Sequence, residues 1–179
     1  MTNIFSNILK YSLGITVLLV FVSHPLIAQN GNGNRTSVSI RASAEVIGGD
    51  IRLETISDMG IIDARRMQED DQVYINPVFD PEAGVMRATG MPNAMIRVSY
   101  LSEMEVTRRE GPGVLYFQYE LSGFPGDNQR ESELLQTTDR ELRLNEDGQF
   151  YFWIGGTINL SEAVPGSYDG EFTIEIEYI

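Results

Sequence analysis

Near the end of the chain Phe172, Ile174, Ile176 and Tyr178 alternate with Glu171, Thr173, Glu175 and Glu177. Side chains in a strand change faces at every residue, so this period of two predicts a strand with one apolar and one charged face. A second run of the same kind comes early, with Val38, Ile40, Ala42, Ala44 and Val46 set against Ser37, Ser39, Arg41, Ser43 and Glu45. Each ribbon needs a partner. A row of unpaired N–H and C=O groups beside an apolar face invites aggregation unless the fold, a chaperone or another subunit covers it.

The stretch between them repeats the pattern in shorter pieces. Ile51–Glu54, Met59–Ile62, Val73–Ile75, Val85–Ala88, Ala94–Leu101, Val114–Leu121, Glu141–Leu144, Gln149–Ile154 and Thr157–Leu160 read as strands. Turn chemistry separates them: Gly48-Gly49-Asp50, Asp80-Pro81-Glu82-Ala83-Gly84, Met91-Pro92-Asn93, Gly111-Pro112-Gly113 and Asn145-Glu146-Asp147-Gly148, the last of hairpin type. Gly123 to Arg140 reads as a long polar loop with a short helix at Glu131 to Leu135. Roughly eight to ten short strands with regular turns and almost no helical period predict an all-β fold, an antiparallel immunoglobulin-like or pilin-like β-sandwich.

Met1 to Lys10 carries one positive charge and no acid, Leu13 to Val22 is mostly apolar, and Leu26-Ile27-Ala28 precedes Gln29. This is the layout of a secretory signal peptide over residues 1–28, and its apolar core falls short of the roughly 20 residues of a membrane span. Residues 29–36 are polar and rich in Gly and Asn, which predicts a flexible leader, and 37–179 then forms one sandwich domain. The protein is expected to be exported to the periplasm, the outer surface or the medium, with no membrane span after cleavage.

Charge narrows the function. All 26 acidic residues lie beyond residue 28, where they face twelve arginines and no lysine. Such a surface repels nucleic acid and anionic lipid. The chain has no Cys, and its single His, His24, lies in the signal segment. Ser-His and Cys-His nucleophilic pairs, Schiff-base lysines and thiolate or imidazole zinc sites are thereby excluded beyond residue 28, so no enzyme and no cofactor is expected.

Three segments carry a resemblance: Ala42-Ser43-Ala44-Glu45-Val46-Ile47, the block Gly148 to Ile158 containing Gly155-Gly156-Thr157, and Pro165-Gly166-Ser167-Tyr168-Asp169-Gly170-Glu171-Phe172. Met59-Gly60-Ile61-Ile62 fits more loosely. Together they resemble the exported bacterial β-sandwich proteins of domain of unknown function 4402, which look like relatives of fimbrial and spore-coat-like subunits. That resemblance makes Gly155, Gly156, Gly166, Tyr168 and Gly170 the family motif. It also implies assembly by β-augmentation with itself or related subunits, aided by a periplasmic chaperone. Subunits of that kind end on an alternating strand with a penultimate Tyr and a Gly fourteen residues from the end, positions held here by Tyr178 and Gly166.

Candidate sites follow. Val38, Ile40, Ala42, Ala44 and Val46, with Phe172, Ile174, Ile176 and Tyr178, are the strand-pairing candidates. The Gly pairs read as bends, and Tyr168 as a corner tyrosine tying a loop to the backbone. Tyr116, Phe117, Tyr119, Phe150, Phe152 and Trp153 are core filler or a sugar-stacking platform. Alternation puts Tyr151 and Trp153 on the face opposite Phe150 and Phe152, which makes those two the surface-aromatic candidates. Glu69-Asp70-Asp71 and Asp127-Asn128 read as solvated loops rather than calcium ligands, since neither has the register of a calcium loop. The expected function is an exported structural or adhesive envelope protein, a fimbria-like subunit completed by strand pairing. The alternative is a secreted glycan- or calcium-binding module.

Overall fold

Alternating apolar positions become strands throughout, and no α-helix occurs among the described residues. The computed structural model describes residues 36–46, 50–63, 71–137 and 140–179, with 42–46, 60–63 and 140 described by backbone alone. These residues belong to one unit, Asn32–Ile179. The signal segment 1–28 and the leader as far as 35 lie outside them. Thr36, placed in the leader by sequence, is instead the first and a buried residue of a strand.

In chain order the strands are β1 (Thr36–Val46), β2 (Arg52–Ser57), β3 (Met59–Asp63), β4 (Gln72–Ile75), β5 (Gly84–Thr89) and β6 (Met95–Tyr100). They continue with β7 (Glu103–Arg108), β8 (Val114–Phe124), β9 (Glu133–Leu135), β10 (Arg140–Arg143), β11 (Gln149–Asn159) and β12 (Gly166–Tyr178). One layer runs β3-β1-β12-β6-β10, and the other runs β7-β8-β11-β5-β2, with β4 extending the β5 side of β11 and β9 the β7 side of β8. β7 is the joint. It pairs with β12 at Thr107 and Arg108 and with β8 from Glu103 to Thr107, so the sheet folds over itself there.

The inner faces meet in an aromatic core. Phe172 of β12 packs against Tyr119 of β8 with ring centroids 4.6 Å apart, and against Tyr100 of β6 at 5.7 Å. Phe117, Phe150, Phe152, Ile154, Ile158 and Met86 fill the second layer's inner face, facing Val38, Ile40, Ile96, Val98, Tyr168, Ile174 and Ile176 of the first. Gly170 lets the layers close, because a Cβ there would collide with the Val106 side chain of β7.

Three local readings change. Glu103 to Arg108, not assigned to any element by sequence, is a strand whose Val106 is fully buried; Met104 and Val106 alternate with Glu103, Glu105 and Thr107, but two apolar positions make a short signal. The short helix expected at Glu131 to Leu135 is a 3₁₀ turn at Gln129–Glu131 followed by β9, because Leu135 is drawn into pairing opposite Leu121. Asn145 to Gly148 is a tight turn but not a hairpin: β10 pairs with β6 and β11 with β5 and β8, so the turn carries the chain from one layer to the other. The Asn145 side-chain oxygen accepts from the Asp147 and Gln149 N–H groups, and Gly148 takes φ +75.

Tyr119 keeps its hydroxyl in this core with no hydrogen-bond partner, and burial pushes its pKa up. Phe172→Ala is expected to cost about 3–5 kcal/mol of stability by opening a cavity between the layers. Tyr119→Phe should be neutral or stabilising by up to about 1 kcal/mol, since it removes only an unsatisfied group. Denaturant unfolding of both variants checks the pair.

Candidate functional site

The first and last strands form the one parallel ladder among the described residues. Its register is continuous over eleven positions, from Thr36 opposite Gly166 to Val46 opposite Ile176. Val38 stands opposite Tyr168 and Ile40 opposite Gly170, and both side chains are buried. Ala42, Ala44 and Val46 stand opposite Phe172, Ile174 and Ile176, and their side chains lie outside the description. Phe172, Ile174 and Ile176 are buried, whereas Tyr178 is half-buried and its hydroxyl accepts from the Met91 N–H at 2.9 Å beside Gly90. The other edge of β12 is taken by β6 and β7, and that of β1 by β3. β6 covers β12 from Ile174 to Tyr178, β7 covers it at Tyr168 and Asp169, and β3 covers β1 from Ser37 to Ile40.

The polar face of this layer is a surface of short charge pairs. Arg97 reaches Glu177 at 2.8 Å, Ser37 meets Ser167 at 3.2 Å, and Arg109 pairs with Asp169, whose hydrogen bond and charge raise the guanidinium pKa. Pairs this exposed contribute little to stability.

The motif residues are structural in their contacts. Tyr168 is buried and donates its hydroxyl to the Val164 carbonyl oxygen four residues back at 2.9 Å, pinning the turn that opens β12. Gly166 has φ +152 and lies against the Arg108 guanidinium, which donates to the Pro165 carbonyl oxygen at 2.7 Å. Gly156 has φ +141, and a Cβ on it would overlap the Gln118 carbonyl oxygen. Gly155 leaves room for the chain leaving β4, whose Pro77 crosses directly above it.

Tyr151 and Trp153 are not on the surface. They are 8% and 3% exposed and stack on each other at 6.2 Å. Strand alternation does direct them away from Phe150 and Phe152, but this outer face has a second cover. The Pro77 carbonyl accepts from Ser122 Oγ and from Gln129 Nε2, both at 3.0 Å, and the Asp80 carbonyl accepts from Gln129 Nε2 at 2.8 Å. Ser132 Oγ lies 2.9 Å from Ser122 Oγ. Two loops are thus tied together over Ser122, the residue opposite Trp153 on β8. Alternation reports which face a residue takes, not what lies over that face.

The aromatics left in the open are others. Tyr74 and Tyr116 are 48% and 56% exposed. Tyr74 donates to Glu120 Oε2 at 2.8 Å, and its pKa is pushed up to about 12 by partial burial, then by the hydrogen bond and charge of Glu120. Tyr74 was missed because a lone Tyr in a four-residue strand has no aromatic neighbour in sequence. No group of three or more His, Cys, Asp or Glu that could hold a metal converges among the described residues, where Asp71, Asp127 and Asn128 stand in exposed bends and turns; Glu69 and Asp70 lie outside them. No helix among the described residues is long and apolar enough to cross a membrane.

The fold and these contacts define an all-β sandwich whose terminal strands pair with each other. The chain matches no protein-family model, and comparison with curated proteins finds no significant relative.

A phenol with a folded pKa above its unfolded value of 10.0 holds its proton longer in the native state, so its contribution to stability is complete below pH 10 and is lost as pH rises towards 12. Spectrophotometric titration of Glu120→Gln should move one phenol transition down towards 10. An unchanged transition would assign the shift to burial alone.

Proposed function

We propose that the chain is an exported, non-catalytic structural or adhesive protein of the bacterial envelope, built as a β-sandwich that its own first strand completes. The observation that carries this reading is the unbroken eleven-residue register between β1 and β12. β1 occupies the place beside the last strand that a neighbouring subunit's strand takes in β-augmentation. A domain built this way is closed as a monomer, and the same ladder joins two copies if β1 is exchanged between them. The resemblance to domain of unknown function 4402 and to fimbria-like subunits supports the envelope role, and the signal-like layout of residues 1–28 supports export.

The absence of His, Cys and Lys beyond residue 28 favours material over catalysis. The burial of Gly155, Gly156 and Tyr168 favours a framework role for the motif over a ligand role.

Expression of the full chain in a Gram-negative host should give an exported product whose intact mass begins at Gln29; retention of residues 1–28 on cytoplasmic material would overturn the export reading. Deleting 29–46 should abolish cooperative unfolding, with a synthetic peptide of residues 36–46 restoring it in trans. A deletion variant that stays folded and unchanged in oligomeric state would mean that β1 is dispensable.

A further inference from the structure

The second layer's outer face has two unlike halves. One is sealed by the loops over Trp153. The other, built from β7, the first part of β8, the last part of β11 and β4, is open. There Glu103, Gln118, Thr157 and Tyr74 fall in one register row across four strands. One pleat along, Glu105 stands opposite Tyr116; one pleat the other way, Glu120 stands opposite Gly155.

Each tyrosine hydroxyl meets a carboxylate. β4 and β8 lie on opposite edges of β11, yet the Tyr74 hydroxyl reaches Glu120 at 2.8 Å. The Tyr74 side chain therefore reaches across β11 towards β8, and it remains half-exposed. The Tyr116 hydroxyl lies 3.4 Å from Glu105 Oε1 on the neighbouring strand. Strand spacing of about 4.8 Å and a rise of about 3.3 Å per residue set the two tyrosine positions roughly 12 Å apart. Between these strands a cleft of about 340 Å³ is lined by Ser102, Glu103, Gln118, Tyr119, Glu120 and Thr157.

We propose that this face is a binding site for an uncharged oligosaccharide, which spans Tyr74 and Tyr116 and hydrogen-bonds in the cleft between sugar units. A pyranose ring has an apolar C–H face and a rim of hydroxyls. The exposed phenol rings match the first; the acceptor-only carboxylates of Glu103, Glu105 and Glu120 and the Gln118 amide match the second. Hydroxyl donors replace water at a carboxylate one for one. A protein partner would have to desolvate those charges, and protein interface centres are depleted of them. The carboxylates, on a chain of net charge −13, repel uronate or sialylated glycans, which selects neutral sugars. The site is separate from the β1–β12 ladder, so its failure leaves strand completion standing, and the reverse.

The test is calorimetric titration of the intact chain with four neutral hexasaccharides, cellohexaose, xylohexaose, mannohexaose and laminarihexaose, and with hexagalacturonate as the anionic probe. At least one neutral hexasaccharide should bind and the anionic one should not. Tyr74→Ala and Tyr116→Ala should each weaken binding roughly three- to tenfold, and Tyr74→Phe, which keeps the ring, less than Tyr74→Ala. Met91→Ala, an exposed apolar residue at the β5–β6 turn, should have no effect. Both tyrosines are exposed, and thermal melts establish that the variants fold. The proposal falls if no neutral hexasaccharide binds, if binding survives both alanine substitutions unchanged, if hexagalacturonate binds as well as the neutral sugars, or if the face captures only protein.

Discussion

The parallel ladder between β1 and β12 is the constraint on which the rest of the structure depends. β12 carries Tyr168, Phe172, Ile174 and Ile176 into the core, and a strand so loaded is stable only with both edges paired. β6 and β7 supply one edge, and the start of the described chain supplies the other. Because the ladder is parallel, no hairpin can make it. The intervening strands must form a long crossover first, so this pairing joins residues about 130 positions apart, as between Ser37 and Ser167.

β7 decides that the sheet becomes a sandwich. Leu101 and Ser102 interrupt the ribbon that β6 begins along β12, and beyond them the chain turns its other edge to β8. Val106 fills the space that Gly170 leaves, and Phe172 meets Tyr119 across the gap. Glycine and aromatic positions act together here: small residues allow backbones to approach where large ones must interdigitate.

The outer face of the second layer shows how one strand can serve two ends. At its start β11 is covered, with Trp153 beside Ser122, which is tied to Pro77 and through it to Gln129, and with Tyr151 buried against Trp153. At its end it is open, and Gly155, which lies beneath Pro77, marks the boundary. The absence of a side chain at Gly155 admits the loop. In this plan the framework, at the paired terminal strands, is separate from the exposed half of the second layer's outer face.

By itself the sequence determined the all-β class, the amphipathic faces of β1, β6 and β12, and the turns at Asp80, Met91 and Gly111, because alternation and turn chemistry act over a few neighbouring residues. It showed that Tyr151 and Trp153 turn away from Phe150 and Phe152. Only the tertiary structure decided that loops cover those two rings, that Glu103 to Arg108 is a strand shared by both layers, that Asn145 to Gly148 crosses between layers, and that Tyr74 lies against Glu120. Each of these depends on contacts between residues distant in the chain, and a local pattern carries no information about which face meets which partner.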